Sequence, residues 1–222
     1  MPPRPPPRPL ALRPESIAPS TLSLDITNRP EPWHSLNYSV EQDGTTLFRV
    51  SGYPFSVGHK RVFYDASGLP LFELRSKWYN SSVVEVRLPG EGEVVLTAKV
   101  RVAVSLPKVV VFFRNFIPSS SSTGGKGEKG GKGGKGDDIT MEVWDEPDED
   151  IHVLVFQGTK VAVIRRITDP RSLVEGQRPP FRFRPKWEVK VARGVDVAIV
   201  AVVVVILGQR VGRDAYDGVE VE

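Results

Sequence analysis

Hydrophobic and polar residues alternate along most of this chain in short runs, and that alternation predicts strands. In "KWEVKVA" (186–192) the period is two, which sends successive side chains to opposite faces of an extended backbone. The same pattern predicts strands over 21–26, 36–42, 46–52, 60–66, 70–76, 83–88, 93–102, 108–115, 139–144, 151–157, 160–167 and 186–192. Turn-forming stretches lie between them, among them "QDG", "DASG", "PGEG" and "QGT", all suited to hairpins.

One segment breaks the alternation. From Val197 to Leu207 every residue is apolar, so periodicity cannot tell helix from strand. Length favours helix, because strands usually stop at about 4–8 residues. The flanks agree: Asp196 is a good N-cap, Gly208 or Gly212 could end the helix, and Arg210 suits a C-terminal dipole. Between Asp196 and Gln209 the uncharged stretch would be about 18 Å of helix, against a hydrocarbon core of about 30 Å. A transmembrane span is therefore not expected. A helix apolar on every side has to be enclosed by protein.

The strands supply the enclosure. About twelve strands would close into an antiparallel barrel wide enough for a helix about 10–12 Å across. The fold class predicted is all-β with one buried helix. Its plug would use Asp196, Val197, Ile199, Val200, Val202, Val203, Ile206 and Leu207.

Three stretches carry a family resemblance: "LALRPESIAPS" (10–20), "SGYPFSVGHKRVFYDASGLPLFELRSKW" (51–78) and "WEVKVARGVDVAIVAVVVVIL" (187–207). They resemble the LURP-one-related family, in its fungal type. The most specific piece is the approach to the helix through Val191, Ala192, Gly194, Val195, Asp196 and Ala198. Two departures are visible: Arg193 stands where the family usually has proline, and Gly208 and Gln209 replace acidic residues after the helix. The resemblance implies the tubby C-terminal-like fold, a twelve-stranded barrel around a hydrophobic C-terminal helix, shared with tubby proteins and phospholipid scramblases.

Composition refines this outline. The 222 residues are 40% hydrophobic and 26% charged, with a net charge of +3 and no cysteine. Disulfides, thiolate catalysis and cysteine zinc sites are thereby excluded. "MPPRPPPRPL" puts prolines where a secretory signal needs an apolar stretch, so an intracellular, cytoplasmic protein is expected. The predicted organisation is a proline-rich flexible tail over 1–19, the barrel over 20–211 with a disordered Gly/Lys insertion at 118–138, and a C-terminal tail over 212–222. The prolines could also serve an SH3 or WW domain.

Candidate chemistry is sparse. "GKGEKG" (125–130) matches a dinucleotide fingerprint only formally, since it neither follows a strand nor opens a helix. Lys126, Lys129, Lys132 and Lys135 lie in the same low-complexity tract, and the acidic run from Asp137 to Asp150 after it reads as a solvated hairpin without calcium-loop spacing. His34, His59 and His152 are isolated, and no catalytic signature accompanies them. No catalytic residue, metal or cofactor is therefore expected.

The basic run from Arg165 to Arg193 is the most suggestive feature. In "FRFRPKWEVK" cations alternate with Phe181, Phe183 and Trp187, which would turn the aromatics inward and the charges to water. Arg165, Arg166, Arg182, Arg184, Lys186 and Lys190 are thus the candidate anionic-lipid-binding residues. The expected function is a non-enzymatic, monomeric binding module for anionic phospholipid head groups, peripheral to a membrane, or for a protein partner. The alternatives are a scramblase-like lipid-handling protein and a transcription-related regulator. Nucleic acid is not an expected partner, because nothing in the chain reads bases.

Overall fold

The computed structural model describes residues 1–28, 37–53, 56, 58, 60–77, 79–90, 92–101, 108–117, 137–146, 150–167 and 186–217, with side chains through 208 in the last stretch. Twelve strands form, each overlapping a predicted one. They are β1 (Leu22–Asn28), β2 (Tyr38–Gln42), β3 (Thr45–Gly52), β4 (Arg61–Asp65), β5 (Pro70–Lys77) and β6 (Asn80–Arg87), then β7 (Val94–Val100), β8 (Val109–Arg114), β9 (Asp138–Asp145), β10 (Ile151–Phe156), β11 (Thr159–Ile167) and β12 (Lys186–Val191). Each pairs antiparallel with its neighbour in sequence, and β12 pairs with β1 to close the barrel. Closure leaves no unpaired sheet edge among the described strands, the general hazard of open sheets. The hairpins are local. Asp43–Gly44 and Gln157–Gly158 carry positive φ at both turn positions, the geometry that matches strand twist in a two-residue connection.

Alternation sets the inside. In β12 Trp187, Val189 and Val191 face inward and are at most 1% exposed, as are Leu24 and Ile26 of β1 and Phe72 and Leu74 of β5. Into this space runs α1 (Val197–Asp217). No residue from Val197 to Leu207 is more than 5% exposed, and full burial of a side chain of this size is worth about 1.5–3 kcal/mol. The uniformly apolar run is thus helix, and it is the barrel's own core. Among the described residues, no helix is long and apolar enough to cross a membrane.

Two expectations need correction. The helix does not stop at Gly208 or Gly212 but continues through Asp217, so residues 212–217 are helix and not tail. Gly208 marks a close approach instead of a cap. A Cβ there would lie 2.9 Å from the hydroxyl of Tyr38, which is buried at the start of β2. The other correction concerns residues 1–19, which are fixed to the barrel as a strap and are not a flexible tail. Leu10 and Ala11 are fully buried, and Leu12 and Ala18 nearly so. Leu10 N–H donates to Gly194 O at 2.9 Å and Ala18 N–H to Val195 O at 2.9 Å. Asn115, wholly buried, accepts from Ala11 N–H at 2.9 Å and donates to Pro9 O at 3.0 Å. Even the prolines take part: Pro3 is buried and Arg4 N–H donates to Lys160 O at 2.8 Å.

Asp196 joins strap and helix. One carboxylate oxygen accepts from Ala198 N–H at 2.7 Å, capping α1, while the other accepts from Leu12 N–H at 2.9 Å and Arg13 N–H at 2.8 Å. Burial pushes this carboxyl up to about 6, against the backbone N–H groups that favour its charged form.

Candidate functional site

Cross-strand register decides which charges share a surface. On the outer wall of β11, β12, β1 and β2, Arg165 stands opposite Glu188, Glu188 opposite Asp25, and Asp25 opposite Glu41. Lys186 reaches Asp25 at 3.0 Å, and Lys190 is exposed opposite Ser23 and Val163. Four cations (Arg165, Lys186, Lys190 and Lys160) thus meet four carboxylates (Asp25, Glu41, Glu188 and, just past β9, Glu146, which holds Lys160), and the wall is neutral. Arg166 does not join it. Adjacent to Arg165 on a strand, it points to the other side and holds Asp150 through Nε at 2.7 Å and Nη2 at 2.6 Å. Arg182 and Arg184 lie outside the described residues. The candidate residues therefore do not come together as one cationic face among the described residues.

A different part of the wall is cationic. Outward from β3 to β7 and the residue before β4 project Arg49, Lys60, Arg75, Lys77, Arg87 and Lys99 against two carboxylates, Glu73 and Glu85. Six cations less two carboxylates leaves +4. Each carboxylate lies between two of the cations. Glu73, only 7% exposed, is 2.8 Å from Lys60 and 2.9 Å from Arg75. Glu85 is 2.9 Å from Lys77 and 2.7 Å from Arg87. Burial works to raise both carboxyls, but the hydrogen bonds from these cations outweigh it and hold both below their ordinary value.

Aromatic rings border this wall. The Lys77 ammonium is 5.7 Å from the centre of the Tyr79 ring, and that of Lys99 is 5.2 Å from Phe112, both within cation–π range. Tyr64 and Tyr53 share a hydroxyl contact at 3.3 Å. That contact, with burial and nearby Glu73, pushes Tyr64 up to about 12. Arg49 is exposed opposite Tyr64. No window along the sequence displays this wall, because its cations are spread over four strands and the residue before β4; the local signals are confined to "HKR" (59–61) and "RSKW" (75–78).

The histidines do not form a metal centre among the described residues, where no group of three or more possible ligands is found; His34 and His59 lie outside them. His152 is 3% exposed inside the barrel, with Nδ1 2.6 Å from Asp145 and its ring 5.8 Å from that of Trp187. Burial lowers its pKa against the hydrogen bond with Asp145, which works to raise it, and the ring is a partnered interior side chain. The acidic run falls in the β9–β10 hairpin: Asp138–Asp145 is strand β9, Asp137 holds Arg8, Asp145 holds Lys108 at 3.0 Å and Asp150 holds Arg166, while residues 147–149 lie outside the described residues.

This architecture has known counterparts. A solved structure of a protein from Arabidopsis thaliana superposes with a TM-score of 0.56 at 23% identity, covering 89% of this chain and 96% of that one. At that identity the likeness establishes the fold. No curated protein matches the chain. The LURP-one-related profile matches residues 23–208, from the first strand to the point where α1 passes Tyr38. The chain belongs to the LURP-one-related family.

Proposed function

We propose that this protein is a non-enzymatic module that docks on anionic membrane surfaces through the outer wall of β3–β7. The observation that carries the proposal is the uneven outward charge of the barrel: +4 on that wall and zero on the wall of β11, β12, β1 and β2. A cation near an anionic bilayer contributes about 1 kcal/mol, so several on one rigid face give useful peripheral affinity. The resemblance to tubby-like proteins, which bind phosphoinositides, supports the same ligand class. The interior favours docking over conduction, because side chains fill it along Val197–Leu207. That weighs against scramblase-like passage of lipid through the barrel.

Co-sedimentation with phosphatidylcholine vesicles, with and without phosphoinositide or phosphatidylserine, tests the proposal. Arg49→Glu/Lys99→Glu and Lys186→Glu/Lys190→Glu change net charge equally but on opposite walls. The first should weaken binding by roughly 30-fold or more, since losing two cations costs about 2 kcal/mol before any repulsion. The second should bind nearly as wild type. Equal weakening by both would show that only net charge matters and would remove the assigned face.

A further inference from the structure

The large apolar side chains left in water are as unevenly placed as the charges. Met1 apart, those exposed among the described residues are Tyr53, Leu69, Tyr79, Leu88 and Phe116. Tyr53 follows β3, Leu69 tips the β4–β5 hairpin, Tyr79 joins β5 to β6, Leu88 begins the β6–β7 hairpin and Phe116 follows β8. All five therefore belong to the β3–β8 side, the side that carries the excess positive charge. Leu69, Leu88 and Phe116 also share one end of the barrel, the end where α1 enters, because antiparallel neighbours place alternate connections at the same end.

The two leucine tips are held firmly. Asp65 accepts from Ser67 N–H at 2.9 Å, Ser67 Oγ at 2.6 Å and Leu69 N–H at 2.9 Å. Leu88 N–H donates to Glu93 O at 3.0 Å and Gly92 N–H to Leu88 O at 3.2 Å. A Cβ on Gly92 would lie 2.9 Å from that of Leu88, so glycine is what lets this turn close beneath the leucine. Rigid, exposed leucines at 64% and 41% have nothing to gain from water, and cations on the same wall would bring an anionic bilayer to them.

We infer that the β4–β5 and β6–β7 hairpins insert Leu69 and Leu88 into the interfacial region of an anionic bilayer, with Phe116 beside them. The inference rests on the membrane reading above and adds the depth and orientation of docking. The chain has no cysteine, so a single introduced thiol can be labelled cleanly. An environment-sensitive fluorophore is placed at Leu69→Cys, Leu88→Cys or, as the control on the opposite wall, Ser23→Cys. Each labelled protein is then mixed with phosphatidylserine/phosphatidylcholine vesicles with and without acyl-chain quenchers.

The first two positions should shift to the blue and be quenched on binding, and Ser23→Cys should do neither. In unlabelled protein, Leu69→Ser and Leu88→Ser should each weaken binding by roughly tenfold at unchanged melting temperature. Binding with no shift at either leucine overturns the insertion and leaves the membrane reading standing. Absence of binding by wild type overturns both.

Discussion

Asp196 is the residue on which most local structure converges. Its carboxylate receives N–H groups from the strap and from the first turn of α1 at once, in a fully buried setting. Burial raises its pKa from the ordinary 3.8 to about 6, so the folded state binds this proton more tightly than the unfolded state does. The stability it adds is then complete below about pH 3.8 and is lost as pH rises through about 6, a loss of about 3 kcal/mol. Asp196→Asn cannot titrate. Denaturant unfolding of both proteins from pH 4 to 7 should therefore show wild type losing ground to the variant across that window. The depressed Glu73 and Glu85 titrate with the opposite sign, losing stability as pH falls below the ordinary carboxylate range, and cancel in the comparison because both proteins keep them. A flat difference would mean that the N–H donors already offset burial.

At the scale of elements, the strands were legible because each turns one face to a core, and burial enforces the period of two. The helix was legible from length and flanks, but its end was not. Gly208 reads as a stop signal in sequence, yet its role is spatial, since Tyr38 lies across from it. Replacing Gly208 by Ala usually favours a helix by about 1 kcal/mol, but here the new Cβ meets the Tyr38 hydroxyl. Gly208→Ala should therefore lower the melting temperature in wild type and raise it in a Tyr38→Phe background; a rise in both would deny the close approach. The strap was missed for a related reason. Its composition is that of a solvated polyproline tail, and its anchors, Asn115 and Asp196, lie 104 or more positions away in sequence.

At the scale of the molecule, the sequence could rank local charge but could not say which charges share a wall. The run from Arg165 to Arg193 looked cationic because Asp25 and Glu41, which face it across β1 and β2, are far off along the chain. Arg165 and Arg166, adjacent in sequence, project to opposite sides of one strand. Conversely, the β3–β7 wall gathers single cations from many strands, so no window along the chain displays it. A closed barrel converts scattered residues into contiguous faces, and here one side collects both the charge excess and the exposed apolar side chains.

Hydrogen exchange of the wild-type protein with and without anionic vesicles measures that claim most directly. Exchange should slow on the β3–β8 side alone, most at the hairpins bearing Leu69 and Leu88, with β11, β12, β1 and β2 unchanged. Slowing centred on β12 and its neighbours, or none anywhere while the protein is vesicle-bound, would contradict it.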